Sequence, residues 1–131
     1  MRGPLTQASR AIALTTGAFY LVVGGWAFAG PESFFSSVAT FPPYNQHLLH
    51  DAGAFQVGLG AILVLGAVRK DLLRWAFLAV LVASLLHLIS HIEDRGLGGH
   101  ATDLPALAFL CVVLAAGMFI SPGAVRKEAE G

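Results

Sequence analysis

"HLLHDAGAFQVGLGAILVLGAVRKDLLRWAFLAVLVASLLHLIS", residues 47 to 90, is two apolar runs set back to back and divided by one charged knot, "RKDLLR" at 69 to 74. A helix rising about 1.5 Å per residue crosses the roughly 30 Å hydrocarbon layer with about 20 residues, so each run is long enough to span a membrane. The short turn between them makes an antiparallel hairpin. Its two free ends lie at one depth and both carry histidine: "HLLHD" opens the first run, and "HLISHIED", residues 87 to 94, closes the second.

Outward from the hairpin, two more apolar runs complete a set of four expected spans, at about 9–29, 47–68, 72–90 and 104–120. None has an interior charge except Arg10, Asp51 and Arg74 near their ends. Breakers lie between them: Gly30 and Pro31, then Pro42 and Pro43, then "DRGLGG" at 94 to 99, and Pro122 with Gly123 after the last. Pro105 suits a first helical turn, where its missing N–H is no loss. Of the 131 residues 56% are apolar and 12% charged, and mean hydropathy is +0.70. Soluble domains carry about a quarter charged residues, so water is the wrong solvent for this chain. The expected architecture is all-α: one transmembrane domain, residues 1–131, forming an integral membrane four-helix bundle. The start, "RGPLTQASR" and the apolar run to "AFAG", also has the form of a signal peptide cleaved after Ala29, but the run is long for one, and a span is the better reading.

Loop charge sets the expected orientation. Arg2, Arg10, Arg69, Lys70, Arg74, Arg126 and Lys127 fall on one side and Arg95 alone on the other. Lys and Arg avoid translocation, so both termini and the "RKDLLR" turn are expected in the cytoplasm of a multi-pass cell-membrane protein, with loops 30–46 and 91–103 outside. All five histidines and five of the eight acids, Glu32, Asp51, Glu93, Asp94 and Asp103, then share the outer end. With the histidines neutral that layer is net negative, which suits cations. The whole chain has eight basic and eight acidic residues, so no field directs it to nucleic acid.

The polar layer is the candidate site. His47, His50 and Asp51 share one helical face, and His87, His91 and Asp94 share another. The hairpin is expected to bring the two faces together, with Asp103 at the start of the last span closing the group. His87 lies a turn inside its span and should face the bundle. Two chemistries fit. Imidazoles four residues apart, joined by carboxylates of neighbouring helices, can bind Zn²⁺, Cu²⁺ or Fe²⁺, and facing histidines can hold haem. Alternatively His–Asp pairs supply a general acid and base near neutral pH for a lipid-soluble molecule such as a quinone. His50, Asp51, His87, His91 and Asp94 are the expected catalytic or metal-ligating residues, with His47, His100 and Asp103 behind them. The plain competitor is an interfacial belt of polar residues at helix ends.

The rest reads as packing. "GPESFFSSVATFPPYNQH", residues 30 to 47, is too broken to cross, and the spacing of Phe34, Phe35, Val38 and Phe41 predicts a short interfacial helix dipping aromatics into the headgroups above the polar cluster. Ala13 and Gly17 in the first span, and Ala54, Gly58 and Gly60 in the second, invite close helix approach. Gln56 needs a partner on another helix or a ligand. Trp26 and Trp75 belong at opposite interfaces. Cys111 has no partner for a disulfide and reads as a small apolar packing residue.

In its order of elements, "GGWAFAGPESFFSSV", then "DAGAFQVGLGAILVLGAVRK", then "TDLPALAFLCVVLAAGMFISPG", the chain resembles the DoxX-like families of small four-helix membrane proteins. The resemblance covers most of the chain. It implies a Pro/Phe-rich outer segment after the first span, a glycine-rich second span with a basic turn, and a polar close to the third. It also implies a redox or quinone association, since some members are linked to quinone-dependent thiosulfate oxidation or other redox complexes, while many have no assigned activity. The two histidine segments match no shared motif of that group, so no catalytic residue comes from it. The alternative of another class is a non-catalytic accessory subunit of a larger membrane complex, or a homo-oligomer, docking through its small-residue faces.

Overall fold

The computed structural model describes residues 3–122. Arg2, Gly123, Arg126 and Lys127, which entered the boundary and topology readings, lie outside them. Five helices follow one another: α1 (Pro4–Ala29), α2 (Pro31–Ser37), α3 (Gln46–Val68), α4 (Leu73–Glu93) and α5 (Asp103–Ile120). Four of them are long and apolar enough to cross a membrane, and α2 is the short helix expected between the first two. The boundaries match the sequence expectation closely except that α1 starts five residues earlier, at a proline in the first turn. Asn45 caps α3, its side-chain oxygen accepting from the Leu48 N–H at 3.0 Å.

The four long helices form a square. α1 lies along α3, α4 lies along α5, the hairpin joins α3 to α4, and α1 meets α5 on the fourth side. α1 touches α4 only narrowly across the diagonal, and α3 does not approach α5 among the described residues. Outward faces carry large apolar groups, among them Phe55, Phe109 and Phe119, each more than two-thirds exposed. Apolar surface on this scale is tolerable only against lipid.

The α1–α3 seam is built on glycine, and only in part on the residues the sequence spacing picks out: Gly17 and Gly60 belong to it. A Cβ on Gly53 would fall 2.7 Å from both the Gly24 carbonyl oxygen and the Phe28 nitrogen, and one on Gly60 would fall 2.7 Å from the Gly17 carbonyl oxygen. Gly17 and Gly24 are the matching positions on α1. Gly58 instead faces open space, and Ala54 is exposed. On α3 the expected Ala54 and Gly58 thus give way to Gly53, which joins the expected Gly60; the two are seven residues apart and share the face turned to α1. Near the hairpin the half-buried Arg10 donates to the Ala67 carbonyl at 2.6 Å, satisfying one of the last carbonyls of α3 with a cation.

The main core sits toward the hairpin. Leu63, Leu73, Phe77, Val80 and Leu114 are fully enclosed there, and the Phe77 ring occupies the space that Gly117 leaves on α5. A second, smaller core at the other end joins Ala27, Phe34 and Leu49. α2 is therefore held by burying Phe34 against α1 and α3, with Trp26 edge-on to it at 5.3 Å and bonded through its Nε1 to Ser33 Oγ at 2.8 Å. The expectation that this segment points its aromatics into the headgroups is corrected: Phe34 is buried in the protein, and Phe35, with Val38 and Phe41 just after α2, lines the cavity below it. Trp26 and Trp75 stand partly exposed at opposite ends of the bundle.

Candidate functional site

One stripe of α4 organises the site. Leu73, Phe77, Val80, Ser84, His87, His91 and Asp94 follow at alternating steps of four and three, the spacing that keeps one helical face on a partner. The first four are buried. The last three line a partly open cleft of about 570 Å³ to which all five helices contribute. The core stripe thus continues into polar residues where packing gives way to a cavity, whose size falls within the range of small-molecule sites.

The cleft is apolar on most sides. α1 contributes Phe19, Tyr20 and Val23, α3 contributes Leu48, Leu49, Ala52 and Gln56, and α5 contributes Ala106, Leu107 and Leu110. The roof is Phe34, Phe35, Val38 and Phe41. Against these walls stand His87, His91 and Asp103. His91 Nε2 lies 3.1 Å from His87 Nε2, and His91 Nδ1 lies 3.7 Å from Asp103 Oδ2. That carboxylate oxygen also accepts from the His100 backbone N–H at 2.8 Å, and its place in the first turn of α5 stabilises its charge. The Phe41 ring meets His91 edge-on at 5.3 Å. With side chains only 17% and 20% exposed, His91 and Asp103 are shielded as an exposed ion pair is not.

The loop after α4 is fastened over this end. Gly99 donates to the Thr40 carbonyl at 3.1 Å, and Thr40 Oγ1 lies 3.4 Å from His100 Nε2. Gly98 and Gly99 both have positive φ, and a side chain on either would run into Thr40 or Phe41. Below the cleft, Tyr20 donates to Ser84 Oγ at 2.6 Å, since the Ser84 hydroxyl itself donates to the Val80 carbonyl at 2.7 Å. This bond is the polar link across the α1–α4 diagonal.

The two histidine faces do not meet. His47 pairs with Asp51 at 3.5 Å on the outside of α3, with side chains 86% and 54% exposed, and His50 stacks on Phe28 of α1 at 5.1 Å. The reason lies in the rotation of α3. Gly53 and Gly60 must face α1, and at about 100° per residue that turns Leu48, Ala52 and Gln56 to the cleft while His47, His50 and Asp51 fall on the opposite flank. Of the expected residues, the structure gathers His87, His91, Asp94 and Asp103 and leaves His47, His50 and Asp51 apart. His100 contributes its backbone. Among the described residues no three His, Cys, Asp or Glu side chains converge on a point that a metal ion could share. His87 and His91 present two imidazole nitrogens to each other, where protein metal sites take three or four ligands. Gln56 lines the cleft and makes no hydrogen bond to another described residue, so its amide is available to a ligand. Tyr20, Ser84 and Thr40 were not singled out from sequence, whereas Phe41 was placed above the cluster. The α4 stripe would have pointed to Ser84, and nothing local marks the others.

No family model matches the chain, and neither a curated protein nor a solved structure is found similar to it.

Proposed function

We propose that this protein is a multi-pass membrane protein, with its termini on the cytoplasmic side, that holds a lipid-phase molecule in the cleft and exchanges a proton with it through His87, His91 and Asp103. The observation that carries the reading is the composition of one cavity: a long apolar wall to receive a hydrocarbon body, ending in a histidine pair backed by a carboxylate. A carboxylate beside one ring nitrogen orients the imidazole and leaves the other nitrogen to give or take a proton. The fitting ligand has a flat head bearing a hydroxyl or carbonyl and an apolar tail, as a quinone or quinol does. The DoxX-like order of elements supports the same class. Orientation rests on Arg69, Lys70 and Arg74 at the hairpin end against Arg95 at the other.

The test is equilibrium binding of a decyl-substituted benzoquinone to the purified protein in detergent. Wild type is expected to bind it saturably at one site, and His91→Ala to bind on the order of tenfold more weakly, the loss of one charge-assisted hydrogen bond. The double variant His87→Ala/His91→Ala should lose binding and remain a folded, monodisperse protein. Linear partitioning in wild type, or equal binding by the variants, would refute the reading.

A further inference from the structure

Behind the His91–Asp103 pair lies a second, smaller pocket of about 180 Å³, lined by Arg95, Gly98, Gly99, His100 and Ala101. Phe41, His91 and Asp103 line both this pocket and the large cleft, so these three side chains are the wall between them. From this wall we infer that the small pocket is a water-side port through which the ligand of the cleft exchanges its proton with the aqueous phase at the histidine end only. The inference rests on the ligand-binding reading above.

The two faces of the wall differ in chemistry. On the cleft side His91 turns its Nε2 toward His87, and on the other its Nδ1 toward the Asp103 carboxylate, which is anchored by the His100 N–H. One imidazole therefore presents its two nitrogens to two compartments. Water takes up about 30 Å³ in the liquid, so the port has room for several molecules, with Arg95, His100 and Asp103 to hold them. The titratable and charged groups facing His91 are His87 and Asp94 on α4, Tyr20 across the cleft on α1, Arg95 and His100 in the loop, and Asp103 on α5; α3 offers only Asn45 and Gln56. Toward the hairpin, Phe77, Val80 and Leu114 are fully enclosed.

The step balances without a further reactant. A ligand hydroxyl gives its proton to the Nδ1 of His87 while His87 passes its Nε2 proton to His91 Nε2: the ligand O–H and the His87 Nε2–H bonds break, an N–H bond forms on each ring, and the His91 imidazolium stands beside the Asp103 carboxylate. The His91 Nδ1–H then breaks, its proton passing to water in the port, and the imidazole is neutral again. Uptake is the reverse. No electron moves in either direction.

The probe is a decyl-substituted nitrophenol, whose phenolate absorbs visible light, bound by excess protein in detergent and followed after a rapid change of solvent pH. Wild type should show a bound population that responds to the jump. Asp103→Asn should slow that response on the order of 100-fold, the scale of a lost acid–base group. Ala101→Trp fills the port from a residue that does not line the cleft, and should slow the response while leaving the equilibrium affinity unchanged. His100→Phe blocks the same pocket from another side and serves if the tryptophan variant is not monodisperse. An unchanged rate in a port-filling variant that still binds would overturn the port and leave the binding reading standing. Failure of wild type to bind the probe would overturn both.

Discussion

The two halves of this bundle are built from the same four helices and behave as opposites. Toward the hairpin the square is closed: Phe77 fills the gap beside Gly117, Leu63, Leu73 and Leu114 meet around it, and Arg10 ties α1 to the end of α3. Toward the histidines the helices instead line a partly open cleft roofed by α2. The α4 stripe runs through both, as Leu73, Phe77 and Val80 in one half and His87, His91 and Asp94 in the other. The difference lies in how each half is stabilised. The closed half owes its stability to interlocking side chains. The open half is held at its margins, by the glycine seam of α1 and α3, the buried Phe34 and the loop fastened to Thr40, and so its centre is left for chemistry.

The strongest way to break this contrast is at the seam that serves both halves. In Gly53→Leu the new side chain would begin 2.7 Å from two backbone atoms that cannot swing away. Overpacking typically costs about 1–3 kcal/mol and more where backbone must move, so this variant should lose its monodisperse peak on gel filtration. Gly58→Leu, which points into open space, should keep it.

Phe77→Ala comes next. Phe-to-Ala in a core costs about 3–5 kcal/mol. With hydrocarbon outside in place of water the transfer share shrinks and the packing share remains, which puts the loss near the lower bound of about 3 kcal/mol. Phe35→Ala, in the roof of the open half, should cost clearly less in the same unfolding assay. Equal losses would mean that the roof is packed as tightly as the closed core.

A smaller effect is expected on the border between the halves. Tyr20→Phe removes the hydroxyl that bridges to Ser84, which keeps its own bond to the Val80 carbonyl. The loss should be about 1 kcal/mol of stability in thermal unfolding.

The smallest effect belongs to the hairpin turn. The Arg69 guanidinium, bonded to Asp71 at 3.0 Å and 3.2 Å, holds that carboxyl below the usual carboxylate range. A carboxyl depressed in the folded state adds stability that is complete above its unfolded pKa and is lost as pH falls through the folded value. Both side chains are well exposed, so the pair should contribute next to nothing. Unfolding curves of Asp71→Asn and wild type should coincide from neutral pH down to about pH 5 and differ at most slightly there.

The open and closed halves were unequally legible in the sequence. Four spans, their limits and the short helix after the first all follow from length, hydropathy and breakers, because lipid imposes those constraints on any chain. The face of α4 was legible too: His87, His91 and Asp94 share it, and it lines the cleft. The rotation of α3 was not. Gly53, Gly58 and Gly60 look alike along the chain, and only the fit against Gly17 and Gly24 selects which of them face α1, a choice that then carries His47, His50 and Asp51 away from the site. Phe34 escaped in the same way. An aromatic in an interfacial helix reads as a lipid anchor until Ala27 and Leu49 are seen to leave room for it.

The most direct test of the central claim, that the histidine half is kept open to hold a lipid-phase molecule, is photolabelling with an alkyl hydroquinone that carries a diazirine in its chain, read residue by residue by mass spectrometry. Label concentrated on Leu49, Ala52, Ala106 and Leu107, and lost when Ala52→Phe fills the cavity, is the expected result. Label spread over the lipid-facing Phe55, Phe109 and Phe119, and unchanged in Ala52→Phe, would contradict it.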